Sequence, residues 1–139
     1  MNNVLSDHCC PGNPRLQDRD LVSIQLAQKI RSLFKLLSNV TRLRILHALS
    51  IISELKVGEL SQIVCMKPQA VSNQLQKLLD SGVLFHRRDG LHVYYSIADQ
   101  CLIGLLEQGL CLIEESEKMV RSEERRVGKE CRYGWWAYH

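Results

Sequence analysis

The chain has 139 residues, a length that suits one domain with a single hydrophobic core. Its hydrophobic content of 45% and charged content of 24% are ordinary for a soluble globular protein. No apolar run approaches the roughly 20 residues of a membrane span, and residues 1–14 lack the apolar core of a signal peptide, so we expect a cytoplasmic protein without a membrane partner. Six cysteines in that compartment favour free thiols, thiolate ligands or a redox switch over a disulfide framework.

The net charge of +3 depends on the last residues of the chain. Residues 121–139 resemble the translation of a common DNA-sequencing adapter, and we interpret residues 120–139 as a non-native or disordered tail. Residues 121–139 hold five Lys/Arg and three Asp/Glu, so 13 of the 18 basic and 12 of the 15 acidic residues remain without them, a net charge of +1. Any nucleic-acid binding must therefore depend on local charge rather than on overall charge.

The first predicted elements are an arm and two helices. Turn-forming pairs predict a flexible N-terminal arm over residues 1–17, followed by a folded domain over residues 18–119. A helical period begins at about Asp18, where Asp18 and Asp20 suit a cap and a first-turn acid. After a break at residues 38–40, Thr41 is predicted to cap a second helix. The residues of this helix predicted to face the core are Leu43, Ile45, Leu46 and Leu49.

A helix-turn-helix and a hairpin follow. Residues 57–64 and 69–80 have the patterns of two further helices, separated by a break at residues 66–68. Two β-rich runs, 83–88 and 91–96, are joined by Asp-Gly, which predicts a β-hairpin. A last helix opens at Asp99 and extends through about Lys118. The order α-α-α-α-β-β-α predicts a mainly α fold with a small β-hairpin, the winged helix-turn-helix.

Five segments, spread over about 60 residues, resemble the ArsR/SmtB family of winged-helix transcriptional repressors. They are Leu36–Leu46, Val57–Leu60, Ala70–Leu75, Leu79–Val83 and Arg87–Tyr95. The resemblance implies a homodimer built from the first and last helices, bound to a palindromic operator in double-stranded DNA. The extensive apolar surface of those two helices agrees with pairing across a two-fold axis.

DNA contact is predicted for the second helix of the helix-turn-helix and for the hairpin. The N-terminal part of such a helix reaches base edges in the major groove, and Gln and Asn pair well with adenine. Two adjacent arginines near the tip of the hairpin, or wing, suit phosphate or minor-groove contact. The predicted DNA-binding residues are Gln69, Ser72, Asn73, Gln74, Lys77, Arg87 and Arg88.

Members of the family commonly release DNA when a metal or metalloid binds or when cysteines oxidise. The Cys-Val-Cys site of the third helix is absent here, because Lys56-Val57-Gly58 stands there. The resemblance places a site on the last helix, with Asp99 and Cys101 as one half and Cys111 and Glu114 as the other. At about 100° per residue the two cysteines lie roughly 80° apart, so two antiparallel helices across a dimer axis are needed to clamp one ion.

The chemistry of these residues leaves several inducers open. Thiolates with a carboxylate suit Zn(II), Cd(II), As(III) or Cu(I), and none of these ions is needed for the fold. His8, Cys9 and Cys10 in the arm form a further candidate ligand set, with an inert arm as the alternative. Cys101 and Cys111 could equally pack in the dimer interface.

These features predict a sequence-specific DNA-binding repressor that a thiophilic metal or metalloid ion releases from its operator. The first alternative is the same repressor switched by cysteine oxidation. The second is a winged-helix protein-interaction module without a ligand, against which the polar recognition helix argues. An enzyme is not expected, because no set of nucleophile, base and orienting group is visible.

Overall fold

The computed structural model describes residues 12–126, including the side chains of residues 12–120. Its element order is the predicted one, α-α-α-α-β-β-α, preceded by a short 3-10 turn at Leu16–Asp18. The elements are α1 (Ile24–Leu37), α2 (Val40–Ile51), α3 (Val57–Val64), α4 (Pro68–Asp80), β1 (Leu84–Asp89), β2 (His92–Ile97) and α5 (Gln100–Arg126).

Helix α1 begins at Ile24, six residues after the start predicted at Asp18. Ser23 is its N-cap, because its Oγ accepts a hydrogen bond from the backbone N–H of Leu26 at 3.1 Å. The carboxylate of Asp18 instead forms an ion pair with Arg15 at 3.0 Å. Asp18 therefore stabilises the 3-10 turn and caps no part of α1.

The sequence predicted Thr41 as the cap of α2, and this prediction is wrong. The N-cap of α2 is Asn39. Asn39 Oδ1 accepts from the backbone N–H of Arg42 at 2.9 Å. Thr41 lies within the first turn, where its hydroxyl donates to the sulfur of Met66 at 3.3 Å. The prediction that Leu43 faces the core is also wrong, since 38% of that residue is exposed. The other three predicted core residues of α2 are buried.

The hydrophobic core lies where α2, α3 and α4 pack on one another. Helix α4 contributes Val71, Leu75 and Leu78, none of which has any exposed area. These three positions follow the helical period, so the opposite side of α4 is turned to solvent. Among the described residues, the other apolar side chains with at most 2% exposure are Ile45, Leu46, Leu49, Leu60, Val64 and Leu84.

The wing is an antiparallel hairpin whose register runs from Leu84 opposite Ile97 to Asp89 opposite His92. Its two-residue loop is therefore Gly90-Leu91, one position later than the predicted Asp-Gly loop. Gly90 has φ +66°, which suits glycine at the first position of a II′-type turn. Leu55 and Tyr95 exchange two backbone hydrogen bonds of 3.2 and 2.9 Å, which join the hairpin to the α2–α3 link.

The last helix extends to Arg126, beyond the end predicted near Lys118. Asp99 opens it as predicted, because its carboxylate accepts from the backbone N–H of Cys101 at 2.8 Å. The chain divides into two compact units within this helix, one ending at Ile103 and the other starting at Gly104. In the part of the chain that the structure describes, no helix is long and apolar enough to cross a membrane.

Candidate nucleic-acid interface

The outward side of α4 carries a row of polar side chains that the sequence predicted. Gln69, Asn73 and Lys77 are spaced four residues apart and all are exposed, while Ser72 beside them is half-buried. Gln69 donates through Nε2 to Asn73 Oδ1 at 3.1 Å. Pro68 occupies the first turn, where it removes no helical hydrogen bond. The row is thus presented from the first turn of the helix onward.

Gln74 differs from its neighbours on α4, although the sequence grouped it with them. It is half-buried, and its Oε1 accepts a hydrogen bond from Nη1 of Arg42 at 2.7 Å. Arg42 is only 9% exposed, and its Nε donates to the backbone oxygen of Leu36 at 2.6 Å. The amide oxygen of Gln74 is therefore already bound inside the protein.

Arg42 was not among the residues predicted from the sequence, although its spacing carries a signal. Arg42 lies three, four and seven residues before Ile45, Leu46 and Leu49, the apolar positions of α2. A charged residue on the buried side of a helix needs polar partners there. The spacing thus indicates that Arg42 is buried, whereas the identity of its hydrogen-bond partners depends on the fold.

Arg87 of the wing is engaged within the protein. Its Nε and Nη2 donate to the two carboxylate oxygens of Glu54 at 2.7 and 2.8 Å, and its guanidinium lies 4.7 Å from the ring centre of Tyr94. The hydrogen bond from Arg87 lowers the pKa of Glu54, and the same bond raises the pKa of Arg87. Because the pKa of Glu54 is lowered on folding, the pair stabilises the docked wing at neutral pH and loses this effect in acid.

Arg88, the next residue, has a different environment. Side chains alternate between the two faces of a strand, so Arg88 points away from the face on which Arg87 meets Glu54. Arg88 is exposed, and within residues 12–120 its side chain forms no hydrogen bond or ion pair. Of the two arginines predicted to contact DNA, Arg88 is the one without a hydrogen bond or ion pair inside residues 12–120.

The candidate metal ligands of α5 do not form a complete site in one chain. Cys101 is half-buried, and its backbone N–H is the main cause of the lowered pKa of Asp99. Cys111 and Glu114 are exposed. Among the described residues of a single chain, no three His, Cys, Asp or Glu side chains are grouped so that they could hold a metal ion.

The remaining predicted ligands, His8, Cys9 and Cys10, lie outside the residues that the structure describes.

The packed helices α2 to α4, followed by the hairpin, define a winged helix-turn-helix protein. Residues 39–84 match the family described as bacterial regulatory protein, arsR family. The chain is 35% identical over 86 residues to the cadmium resistance transcriptional regulatory protein CadC of Listeria innocua, a match that covers 62% of this chain and 72% of that protein. The chain belongs to the ArsR family of DNA-binding transcriptional repressors and is not an enzyme.

Two solved structures extend the comparison. The crystal structure of the AntR antimony-specific transcriptional repressor has a TM-score of 0.67 and 51% identity, covering 78% of this chain and 98% of that one. The solution structure of the homodimeric winged helix-turn-helix domain Mb0332 from Mycobacterium bovis has a TM-score of 0.61 and 27% identity, covering 70% and 89% respectively. Both similarities support the same fold for this chain.

The environments of the wing and of α4 predict two different effects of mutation on DNA binding. Arg88→Ala should weaken binding to all duplexes alike and reduce the slope of log affinity against log salt by about one unit, because one phosphate contact is lost. Asn73→Ala should instead reduce discrimination between sequences. Fluorescence anisotropy over a salt series measures both effects.

Arg88→Lys is the matched control, since it keeps the charge and should keep the slope. An unchanged salt slope in Arg88→Ala would show that the wing makes no phosphate contact through this residue.

Proposed function

We propose that this protein represses transcription by binding a specific sequence of double-stranded DNA, with α4 in the major groove. The observation that carries the proposal is the two-sided character of α4. Val71, Leu75 and Leu78 fix one side in the core, and the amide-rich row Gln69–Asn73–Lys77 lies on the other. Amide side chains read adenine through paired hydrogen bonds, and Lys77 would add a positive charge near the phosphate backbone of the DNA. A repressor acting on DNA in this way would work in the cytoplasm.

The binding unit we propose is a homodimer on a palindromic operator. Leu26, Ile30 and Phe34 of α1 are 42%, 38% and 51% exposed in the single chain, although they share one side of the helix. A continuous apolar surface of this kind is typical of a protein interface. Among the described side chains of α5, the large apolar residues that are exposed in the single chain are Leu110, Leu112, Ile113, Met119 and Val120. The homodimeric state of the Mycobacterium bovis domain supports the same assembly.

The proposed dimer predicts that a charge on the apolar side of α1 separates the subunits. Phe34→Glu should shift the protein from dimer to monomer in sedimentation analysis, because the carboxylate would be buried without a partner. Gln28→Glu adds the same charge at an exposed position on the other side of α1 and should leave the dimer intact. A Phe34→Glu protein that sediments as a dimer would exclude this surface as the interface.

We further propose that a thiophilic metal or metalloid ion releases the repressor from DNA. Cys101 and Cys111 supply the thiolates, with Asp99 and Glu114 as carboxylate ligands from the same helix. Zn(II), Cd(II), As(III) and Cu(I) suit such donors. The names of the similar proteins, cadmium resistance regulator and antimony-specific repressor, support an inducer of this class.

The inducer is tested by titrating the protein–DNA complex with each of the four ions under strict reduction, and separately with peroxide. Binding of the correct ion should weaken DNA affinity about 5- to 150-fold, the usual range of coupling between two sites. Cys101→Ser and Cys111→Ser should abolish this response while retaining DNA binding. Cys65→Ser is the control, because Cys65 is an exposed thiol outside α5.

The outcomes separate the alternatives. Release by peroxide alone supports a switch by cysteine oxidation. No response to any addition contradicts the sensing proposal and leaves the DNA-binding proposal unaffected, whereas a protein that binds no duplex favours an interaction module.

A further inference from the structure

Arg42 carries a buried positive charge whose partners are unusual. Within residues 12–120, no carboxylate forms an ion pair with its guanidinium. Its acceptors are the backbone oxygen of Leu36 at 2.6 Å and the amide oxygen of Gln74 at 2.7 Å. Leu36 lies in the last turn of α1, where backbone oxygens lack helical partners and the helix dipole is negative. The C-terminal end of α1 therefore takes the place of a counter-ion.

The hydrogen bond between Arg42 and Gln74 differs from the other side-chain hydrogen bonds of α4. In the described part of the chain, it is the only side-chain hydrogen bond that joins α4 to another helix. The buried apolar side chains of α4 are Val71, Leu75 and Leu78. The burial of these side chains determines which side of α4 faces the core, and a hydrogen bond adds a defined distance and angle. This bond can therefore refine the angle at which α4 is held against α2.

We propose that Arg42 and Gln74 form an orienting link that fixes the recognition helix α4 relative to the C-terminal end of α1. Gln74 then acts on DNA affinity through Arg42 and not through a base. This inference rests on the proposed function, in which α4 enters the major groove and α1 lies in the dimer interface. Because the link connects those two helices, it also sets the separation of the two recognition helices and hence the half-site spacing that the dimer accepts.

The link is tested by a double-mutant cycle on the full-length protein, with a duplex selected by the wild type from a random-sequence pool. Gln74→Ala and Arg42→Lys should each weaken binding on the order of tenfold, the scale of one hydrogen bond to a charged group. The DNA affinity of the double variant should be no lower than that of the single variant that binds more weakly, because both substitutions break the same hydrogen bond. Asn73→Ala combined with Arg42→Lys is the matched cycle, in which the two losses should multiply.

Gln74→Glu separates positioning from base reading. Glutamate keeps an oxygen acceptor for Arg42, so the link predicts an affinity close to that of the wild type. A glutamine that pairs with a base would lose its amide donor in this variant, and binding would fall as far as in Gln74→Ala. The half-site spacing gives a second readout: Gln74→Ala should bind palindromes lengthened or shortened by one base pair nearly as well as the selected one.

The results that overturn the link are specific. Multiplying losses in the cycle of Arg42 and Gln74, or a Gln74→Ala protein that loses discrimination at one base pair only, would assign Gln74 to base contact. Urea unfolding of each variant shows whether it is folded in the assay. If Arg42→Lys is unfolded, Gln74→Ala and Gln74→Glu decide the question. A wild-type protein that selects no duplex contradicts the proposed function, and this inference with it.

Discussion

The burial of one side of α4 is the constraint on which the rest of the structure depends. Val71, Leu75 and Leu78 have no exposed area, so the helix cannot turn without exposing apolar side chains to water. This burial determines which residues face outward, and Gln69 and Asn73 are among them. The same constraint makes a polar contact at the edge of the buried side, such as that of Gln74, matter for the angle at which the outward row is presented.

The helical period and the turn residues predicted most of the fold, because these signals are local. The bounds of α3, residues 57–64, agree with the prediction, and so does the order of the elements. The predicted start of α1 was wrong because Asp18 and Ser23 are both good capping residues. The carboxylate of Asp18 pairs with Arg15, and Ser23 caps the helix. The predicted position of the hairpin loop was wrong by one residue. Asp-Gly can occupy either of two places in a tight turn, and the pairing of the strands determines which place it takes.

The candidate site was predictable in its exposed residues and not in its internal contacts. The period of α4 is enough to place Asn73 on the outside, but Gln74 and Arg87 meet partners that are 32 and 33 residues away in sequence. Two adjacent arginines thus have different environments, since the alternation of the strand turns Arg87 towards Glu54 and leaves Arg88 exposed. The assignment of Cys101 and Cys111 as metal donors stays a prediction.

DNA binding through α4 and the wing, as proposed above, can be followed residue by residue in an NMR titration. Backbone amide shifts would be followed as the selected duplex is added to the labelled protein, with a scrambled duplex as the control. We expect the largest specific changes in residues 69–77 and at Arg88, with smaller changes on the exposed apolar side of α1. Specific changes confined to α1 or α5, with α4 unaffected, would contradict it.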